Sequence, residues 1–99
     1  MIIRDDDELF DWVEAGRISF FNFYRRKQPD QKIDFSGRVF TAKLIQSGIN
    51  LDGVDLRGAD FSKGNISIPI LKNAIFDKNM KFPSGYPTRI MQRFIDEHI

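Results

Sequence analysis

A five-residue period runs through the middle of this 99-residue chain and constrains its fold more than any other feature. Between Ile49 and Lys78 the sequence divides into INLDG, VDLRG, ADFSK, GNISI, PILKN and AIFDK, six blocks with a large apolar residue at each centre. This period matches neither the 3.6 residues per turn of an α-helix nor the alternation of a flat strand, so we expect the chain to turn once in every block. The block centres are Leu51, Leu56, Phe61, Ile66, Leu71 and Phe76.

Four such blocks would return the chain to its starting face, so that one full turn takes about 20 residues, at the short end of known solenoid periods. The block centres would then point inwards, together with the small residues two positions before them, such as Val54, Ala59 and Ala74. Successive turns would stack at about 4.8 Å, the spacing of neighbouring strands. The period therefore predicts an all-β solenoid.

The blocks VDLRG, ADFSK and AIFDK, at residues 54–58, 59–63 and 74–78, resemble those of the pentapeptide-repeat proteins. Ile49 and Pro69 depart from that pattern, at positions where it has small residues. The segments LFDWVEAGRISF and AIFDKNMKFPSGYP are similar to those that precede and follow the repeats in cyanobacterial members of the family. The resemblance implies a short right-handed quadrilateral β-helix, to which we add N- and C-terminal α-helical caps.

The expected organisation is one domain with four parts. Asp6 or Asp7 would begin the first helix and Gly16 would end it, while Thr88 would begin the last one. The extra residue near Ser47 predicts a bulge or a short loop between two blocks. The four parts are an N-terminal capping helix at residues 1–16, a lead-in with a basic loop at 17–32, the β-helix at 33–80 and a C-terminal helix at 81–99.

The chemistry-bearing residue types do not form a catalytic or metal-binding pattern, so we predict neither an enzyme nor a cofactor. Cysteine does not occur, and the one histidine, His98, is expected to be a solvated cation at a helix end. Asp52, Asp55 and Asp60 form a row of carboxylates that we interpret as a solvated face. The sequence has no secretion signal and no apolar run long enough for a membrane span, which makes the cytoplasm the expected location.

Charge is unevenly distributed along the chain. In residues 1–16 one arginine stands against six acidic side chains, whereas residues 17–43 hold seven basic side chains against two acidic ones. The acidic cluster at Asp5–Glu8 either complements a helix dipole or forms a docking face for an oppositely charged partner. Candidate contact residues for a protein partner are the basic Arg25, Arg26 and Lys27 and the outward apolar Ile68 and Ile70. The C-terminal helix would either cover that apolar pair or leave it for the partner.

These features predict a noncatalytic protein–protein interaction or assembly module whose partner the sequence does not identify. One alternative follows from the resemblance, since relatives in the family bind DNA gyrase by mimicking DNA. A second alternative is weak binding of nucleic acid through the basic loop, although we do not favour nucleic acid as the partner. By resemblance, two exposed ends of the β-helix could also meet across a twofold axis and form a homodimer, which a helix lying over the end would block.

Overall fold

The computed structural model describes residues 2–44, 47–66, 71, 73–83, 96 and 97, and it begins with two α-helices. Helix α1 spans Asp6–Glu14, and the side chain of Asp5 caps its start by accepting a hydrogen bond of 2.9 Å from the Glu8 N–H. Acidic residues fill the first turn, where they complement the helix dipole. The chain leaves the helix through Gly16, whose φ of +76° is left-handed. The predicted N-terminal helix is confirmed, with Asp5 as its cap instead of Asp6 or Asp7.

Helix α2 spans Ile18–Lys27, where the sequence predicted an extended lead-in and a basic loop. That prediction was wrong because it continued the five-residue period through a segment whose aromatic residues follow a helical spacing. Phe21 and Tyr24 are one helical turn apart and are both buried. A turn at Pro29 and Asp30 then leads into the remainder of the chain.

The described residues between 33 and 83, which we call the stacked-turn segment, wind so that successive turns lie side by side. Parallel backbone bridges join residues 20 to 22 positions apart. Phe35 N–H, for example, donates to the Asp55 carbonyl at 2.8 Å, and Asp55 N–H donates to the Ile33 carbonyl at 3.0 Å. The bridges within the described residues are Asp34–Asp55, Val39–Asp60, Lys43–Asn65, Asp55–Ile75 and Asp60–Lys81.

The predicted all-β solenoid, and with it the right-handed quadrilateral β-helix at 33–80, is wrong for the described residues. The named elements there are the two α-helices, and the five bridges are isolated residue pairs outside any β-strand. The physical reason is the frequency of the turns, since each straight stretch is too short for a continuous ladder of hydrogen bonds. Glycines with φ between +69° and +74° mark these turns at Gly37, Gly48, Gly53 and Gly58.

Helices and stacked turns share one core. Five of the six predicted block centres are buried, and the sixth, Phe76, packs against the core while half-buried. The rings of Phe40, Phe61 and Phe82 form a stack through successive turns, with centroid distances of 4.6 and 6.3 Å. Phe10 of α1 meets the Phe40 ring edge-on at 5.0 Å, so that α1 packs against the first of these turns.

The C-terminal predictions fall largely outside the described residues. This applies to Ile68 and Ile70 and to most of the predicted helix from Thr88 to His98, of which Asp96 and Glu97 are described as helical. Lys81, which we assigned to the C-terminal helix part, instead bridges to Asp60. No helix within the described ranges is long and apolar enough to cross a membrane.

Candidate functional site

The two helices form an open groove with a volume of about 540 Å³ on the outer side of the molecule. It exists because α2 carries aromatic side chains on two neighbouring faces, and only one face can turn towards the core. Phe21 and Tyr24 face inwards, whereas Phe20 and Phe23 remain 59% and 47% exposed. We call this cavity the aromatic groove; its lining residues are Ile2, Arg4, Trp12, Arg17, Phe20, Phe23 and Tyr24.

Of the seven described residues that line the aromatic groove, four carry aromatic rings. Trp12, the one tryptophan of the chain, lies 6.3 Å from Phe20 and 6.0 Å from Tyr24 between ring centroids. The Arg4 guanidinium sits over the Trp12 ring at 5.4 Å, at a distance typical of a cation–π contact. A surface of this kind offers both apolar area and positive charge to a bound molecule.

Hydrogen bonds hold the N-terminal wall of the aromatic groove in place. The Arg4 N–H donates to the Tyr24 hydroxyl at 2.8 Å, and the Gln31 side-chain amide donates to the Arg4 carbonyl at 2.9 Å. The Tyr24 hydroxyl in turn bonds to the side-chain carbonyl of Gln31. Tyr24 and Gln31 therefore fix the extended segment that carries Ile2 beside α2.

The three basic residues predicted as a contact surface are divided between two roles. Arg25 is half-buried and donates to the carbonyls of Asn50 at 3.0 Å and Asp52 at 2.6 Å, so it ties α2 to the stacked-turn segment. Burial lowers the pKa of the Arg25 guanidinium from its ordinary value, and the charge of Asp52 opposes this shift in part. Arg25 therefore has a structural role within the chain, holding α2 on the stacked-turn segment.

The other two basic residues lie beside the aromatic groove, against its lining residue Phe23. Arg26 and Lys27 are exposed and sit over the Phe23 ring, at 5.9 and 5.4 Å from its centroid. The structure thus brings two of the predicted contact residues together with an exposed aromatic ring that we did not predict as part of a site. Ile68 and Ile70, the other predicted contact residues, are outside the described residues.

The acidic cluster of the N-terminal region is used within the chain. Asp7 pairs with Arg38, and Glu8 pairs with Arg4 at 2.9 Å. Glu14 accepts hydrogen bonds from the backbone of the stacked-turn segment at distances of 2.8 to 3.2 Å. Five of the six acidic residues in residues 1–16 have such a partner, namely Asp5, Asp6, Asp7, Glu8 and Glu14.

The row of aspartates on the stacked-turn segment is also structural. The Asp60 carboxylate accepts a hydrogen bond of 2.8 Å from the Ser62 N–H, closing a small turn that recurs at Asp34 and Asp55. Hydrogen bonds from the Ser62 side chain and backbone lower the pKa of Asp60. For Asp55, the hydrogen bond from the Arg57 side chain is the main cause of a lowered pKa. Carboxylates held in the ionised form in this way are unsuited to donate protons near neutral pH.

In the part of the chain that the structure describes, no group of three or more His, Cys, Asp or Glu side chains comes together to hold a metal ion.

Asp52, which we placed in one row with Asp55 and Asp60, lies on an exposed turn, and its carbonyl accepts a hydrogen bond from Arg25. The prediction of a solvated carboxylate face holds for Asp52, while Asp55 and Asp60 are engaged in their own turns.

Most residues of the aromatic groove were missed by sequence reasoning. The spacing of Phe20, Phe21, Phe23 and Tyr24 was the available signal, because it places two aromatic pairs on adjacent helical faces. The participation of Ile2 and Arg17 depends on how the two helices pack and has no local signature.

Comparisons with models of protein families, with curated proteins and with solved structures give no match to this chain. The resemblance of residues 49–78 to the pentapeptide-repeat family therefore stays a prediction.

Proposed function

We propose that this chain is a noncatalytic protein-binding module that contacts its partner through the aromatic groove. One observation carries the proposal: Ile2, Phe20 and Phe23 line a single cavity while being 74%, 59% and 47% exposed. Large apolar side chains gathered at one exposed place are typical of interaction sites. Aromatic and arginine side chains are also the residue types enriched at protein–protein interfaces.

A protein partner fits this surface better than a nucleic acid does. The basic loop on which the nucleic-acid alternative depended is the end of a helix, and Arg25 is engaged by the carbonyls of Asn50 and Asp52. An aliphatic side chain at Ile2 beside the aromatic rings favours apolar contact over the stacking of bases. We do not retain DNA mimicry, because it required an acidic solenoid surface and the N-terminal acids are engaged within the chain.

Affinity purification of the intact chain from its source cells tests the proposal. The groove variant carries Phe20→Ser and Phe23→Ser, and the matched control carries Val39→Ser and Ile75→Ser, which remove apolar side chains of similar exposure (45% and 48%) from the stacked-turn segment. We expect a protein partner that is recovered with the wild type and the control, resists nuclease treatment, and is lost with the groove variant. Circular dichroism verifies that both variants are folded.

A partner that is retained equally by the groove variant would show that binding uses another surface. Loss of the partner after nuclease treatment would show that nucleic acid carries the contact. Either result would overturn the proposal.

A further inference from the structure

Positive charge at the aromatic groove lacks acidic partners within the described residues. Arg17 lines the groove and is exposed, and no described carboxylate pairs with it. Arg26 and Lys27 contact the face of Phe23 instead of an acidic side chain. Arg4, by contrast, pairs with Glu8. Within the described residues, Arg17 in the lining of the groove and Arg26 and Lys27 beside Phe23 are therefore three cations without a carboxylate partner.

Most of the acidic side chains near the N-terminus that could neutralise these cations in a second copy of the chain are already engaged. Five of the six in residues 1–16 accept hydrogen bonds or form ion pairs within the chain, as Asp7 does with Arg38 and Glu14 does with Thr41. The side chains of the exposed Asp11, Asp30 and Asp52 have no such contact within the described residues and lie apart in the sequence, so a second copy would supply little concentrated negative charge without breaking the other contacts. Charge complementarity therefore favours a different molecule as the occupant.

The apolar part of the aromatic groove can accept a large side chain. Trp12, Phe20 and Phe23 border it, and its volume of about 540 Å³ lies in the usual range for sites that bury a ligand. A side chain such as Phe, Leu or Trp inserted there would remove the exposed surfaces of Phe20 and Phe23 from water. Carboxylates on either side of it could then reach the guanidinium of Arg17 and the cations at the end of α2.

We infer that the partner presents an acidic peptide segment with a large apolar anchor residue, and that this segment docks in the aromatic groove. This inference rests on the proposed function and names the chemistry of the partner. The anchor provides apolar contact, and Arg17, Arg26 and Lys27 select for flanking Asp or Glu residues.

A selection from displayed random short peptides tests the inference without assuming a sequence. The bait is the intact chain, and peptides that also bind the folded Phe20→Ser, Phe23→Ser variant are removed by counterselection. We expect the remaining peptides to contain several Asp or Glu residues around a Phe, Leu or Trp. Enrichment of neutral or basic peptides, or of none that depend on the groove, would overturn the inference.

Titration of an enriched tryptophan-free peptide then locates its binding site, because Trp12 is the one tryptophan of the chain and borders the groove. We expect a change in Trp12 fluorescence on binding. Arg17→Glu should weaken the affinity by about fivefold to tenfold, and added salt should weaken it further. Lys63→Glu, a charge reversal at an exposed position of the stacked-turn segment, should leave it unchanged. Equal effects of the two reversals would contradict a role for Arg17.

Two further measurements address the other occupants. Displacement of the peptide by a single-stranded oligonucleotide, with that binding also lost in Arg17→Glu, would assign the groove to nucleic acid. Doubling of the mass in sedimentation, abolished by the groove variant, would assign it to a second copy. If the cellular partner depends on Phe20 and Phe23 but not on Arg17, the proposed function stands and this inference fails. If it depends on none of them, the proposed function itself fails.

Discussion

Glu14 at the end of α1 is predicted to hold the helix on the stacked-turn segment, and replacing it should destabilise the fold measurably. Its carboxylate accepts the N–H of Thr41 and the N–H of Ala42, both at 2.8 Å, and the Thr41 hydroxyl at 3.1 Å. Thr41 is exposed, so water can replace the carboxylate there after Glu14→Ala. Ala42 is half-buried, and its N–H would be left poorly solvated.

Hydrogen bonds to charged groups are worth roughly 1.5–3 kcal/mol each, and the exposed pair at Thr41 recovers most of its share from water. The expected cost of Glu14→Ala is therefore about 2 kcal/mol, mainly from the Ala42 N–H. Glu14→Gln keeps one oxygen acceptor but loses the charge, and we expect about half of that cost. In a domain of this size, 2 kcal/mol corresponds to a fall in Tm of about 10 °C.

Urea unfolding followed by circular dichroism measures these free energies. Glu8→Ala is the control on the same helix, because Glu8 forms an exposed pair with Arg4 that is worth about 0.3–0.5 kcal/mol. A loss for Glu14→Ala no larger than that for Glu8→Ala would refute the idea that this carboxylate joins α1 to the stacked turns. The slope of the unfolding transition should be the same in all three variants.

Three other predictions concern the stacked-turn segment. Gly64→Ala should cost about 1–3 kcal/mol in unfolding free energy, because an added Cβ would lie 2.6 Å from the Ala42 carbonyl oxygen, whereas Lys63→Ala beside it should stay within about 0.5 kcal/mol. Phe61→Ala removes the fully buried central ring of the aromatic stack and should cost about 3–5 kcal/mol, or abolish folding, in the same assay. Hydrogen bonds from the side chain and backbone of Ser62 lower the pKa of Asp60 in the folded protein. The stability that ionised Asp60 contributes is therefore fully present above its unfolded pKa of about 3.9 and is lost as the pH falls through its lower folded pKa. Asp60→Asn should accordingly reduce the loss of stability between about pH 5 and pH 2, and an unchanged pH profile would contradict this.

The parts of the fold that could be predicted from the sequence are those with local signals. Helix α1 has acidic residues at its start and Gly16 at its end, and each of these acts within one helical turn. The inward direction of Leu56 and Phe61 followed from strict spacing, and both are fully buried. Local chemistry determines these features almost entirely.

The errors have a common physical origin in the competition between two periods. If the five-residue period is continued from Phe35 back to Phe20, Arg25 and Asp30 fall at inward positions, which they cannot fill in a core. The loop predicted within residues 17–32 is one way to avoid this conflict. A helix resolves the same conflict, because it turns Phe21 inwards and places Arg25 against the carbonyls of Asn50 and Asp52. Those acceptors lie more than 20 residues away along the chain, so no local pattern could indicate them.

The secondary structure of the repeat region was predicted wrongly, as an all-β solenoid, for a different reason. Spacing predicted where side chains point, but a continuous β-strand also needs several consecutive backbone pairs. In the described residues each straight stretch contributes a single bridging residue before the next turn, such as Asp55, which bridges to Asp34 on one side and to Ile75 on the other. Periodicity of side chains is therefore weaker information about backbone pairing than about burial.

The polar groups of the stacked turns are largely hydrogen-bonded within the fold, whereas helix α2 exposes aromatic side chains, and this difference explains why the proposed interaction lies on the helices. On the stacked turns, the repeating aspartates bond to backbone two residues later, as Asp60 does to Ser62, so the polar groups of that surface are largely occupied by the fold itself. Helix α2 buries Phe21 and Tyr24 in the core, but Phe20 and Phe23 remain exposed to water. These two rings therefore contribute little to the free energy of folding. Exposed aromatic rings beside cations that have no carboxylate partner within the described residues gain free energy when a complementary molecule covers them. The large exposed side chains of the stacked turns, Val39 and Ile75, are aliphatic. The polar groups of the stacked turns thus stabilise the structure, whereas the exposed rings of α2 remain accessible to a partner.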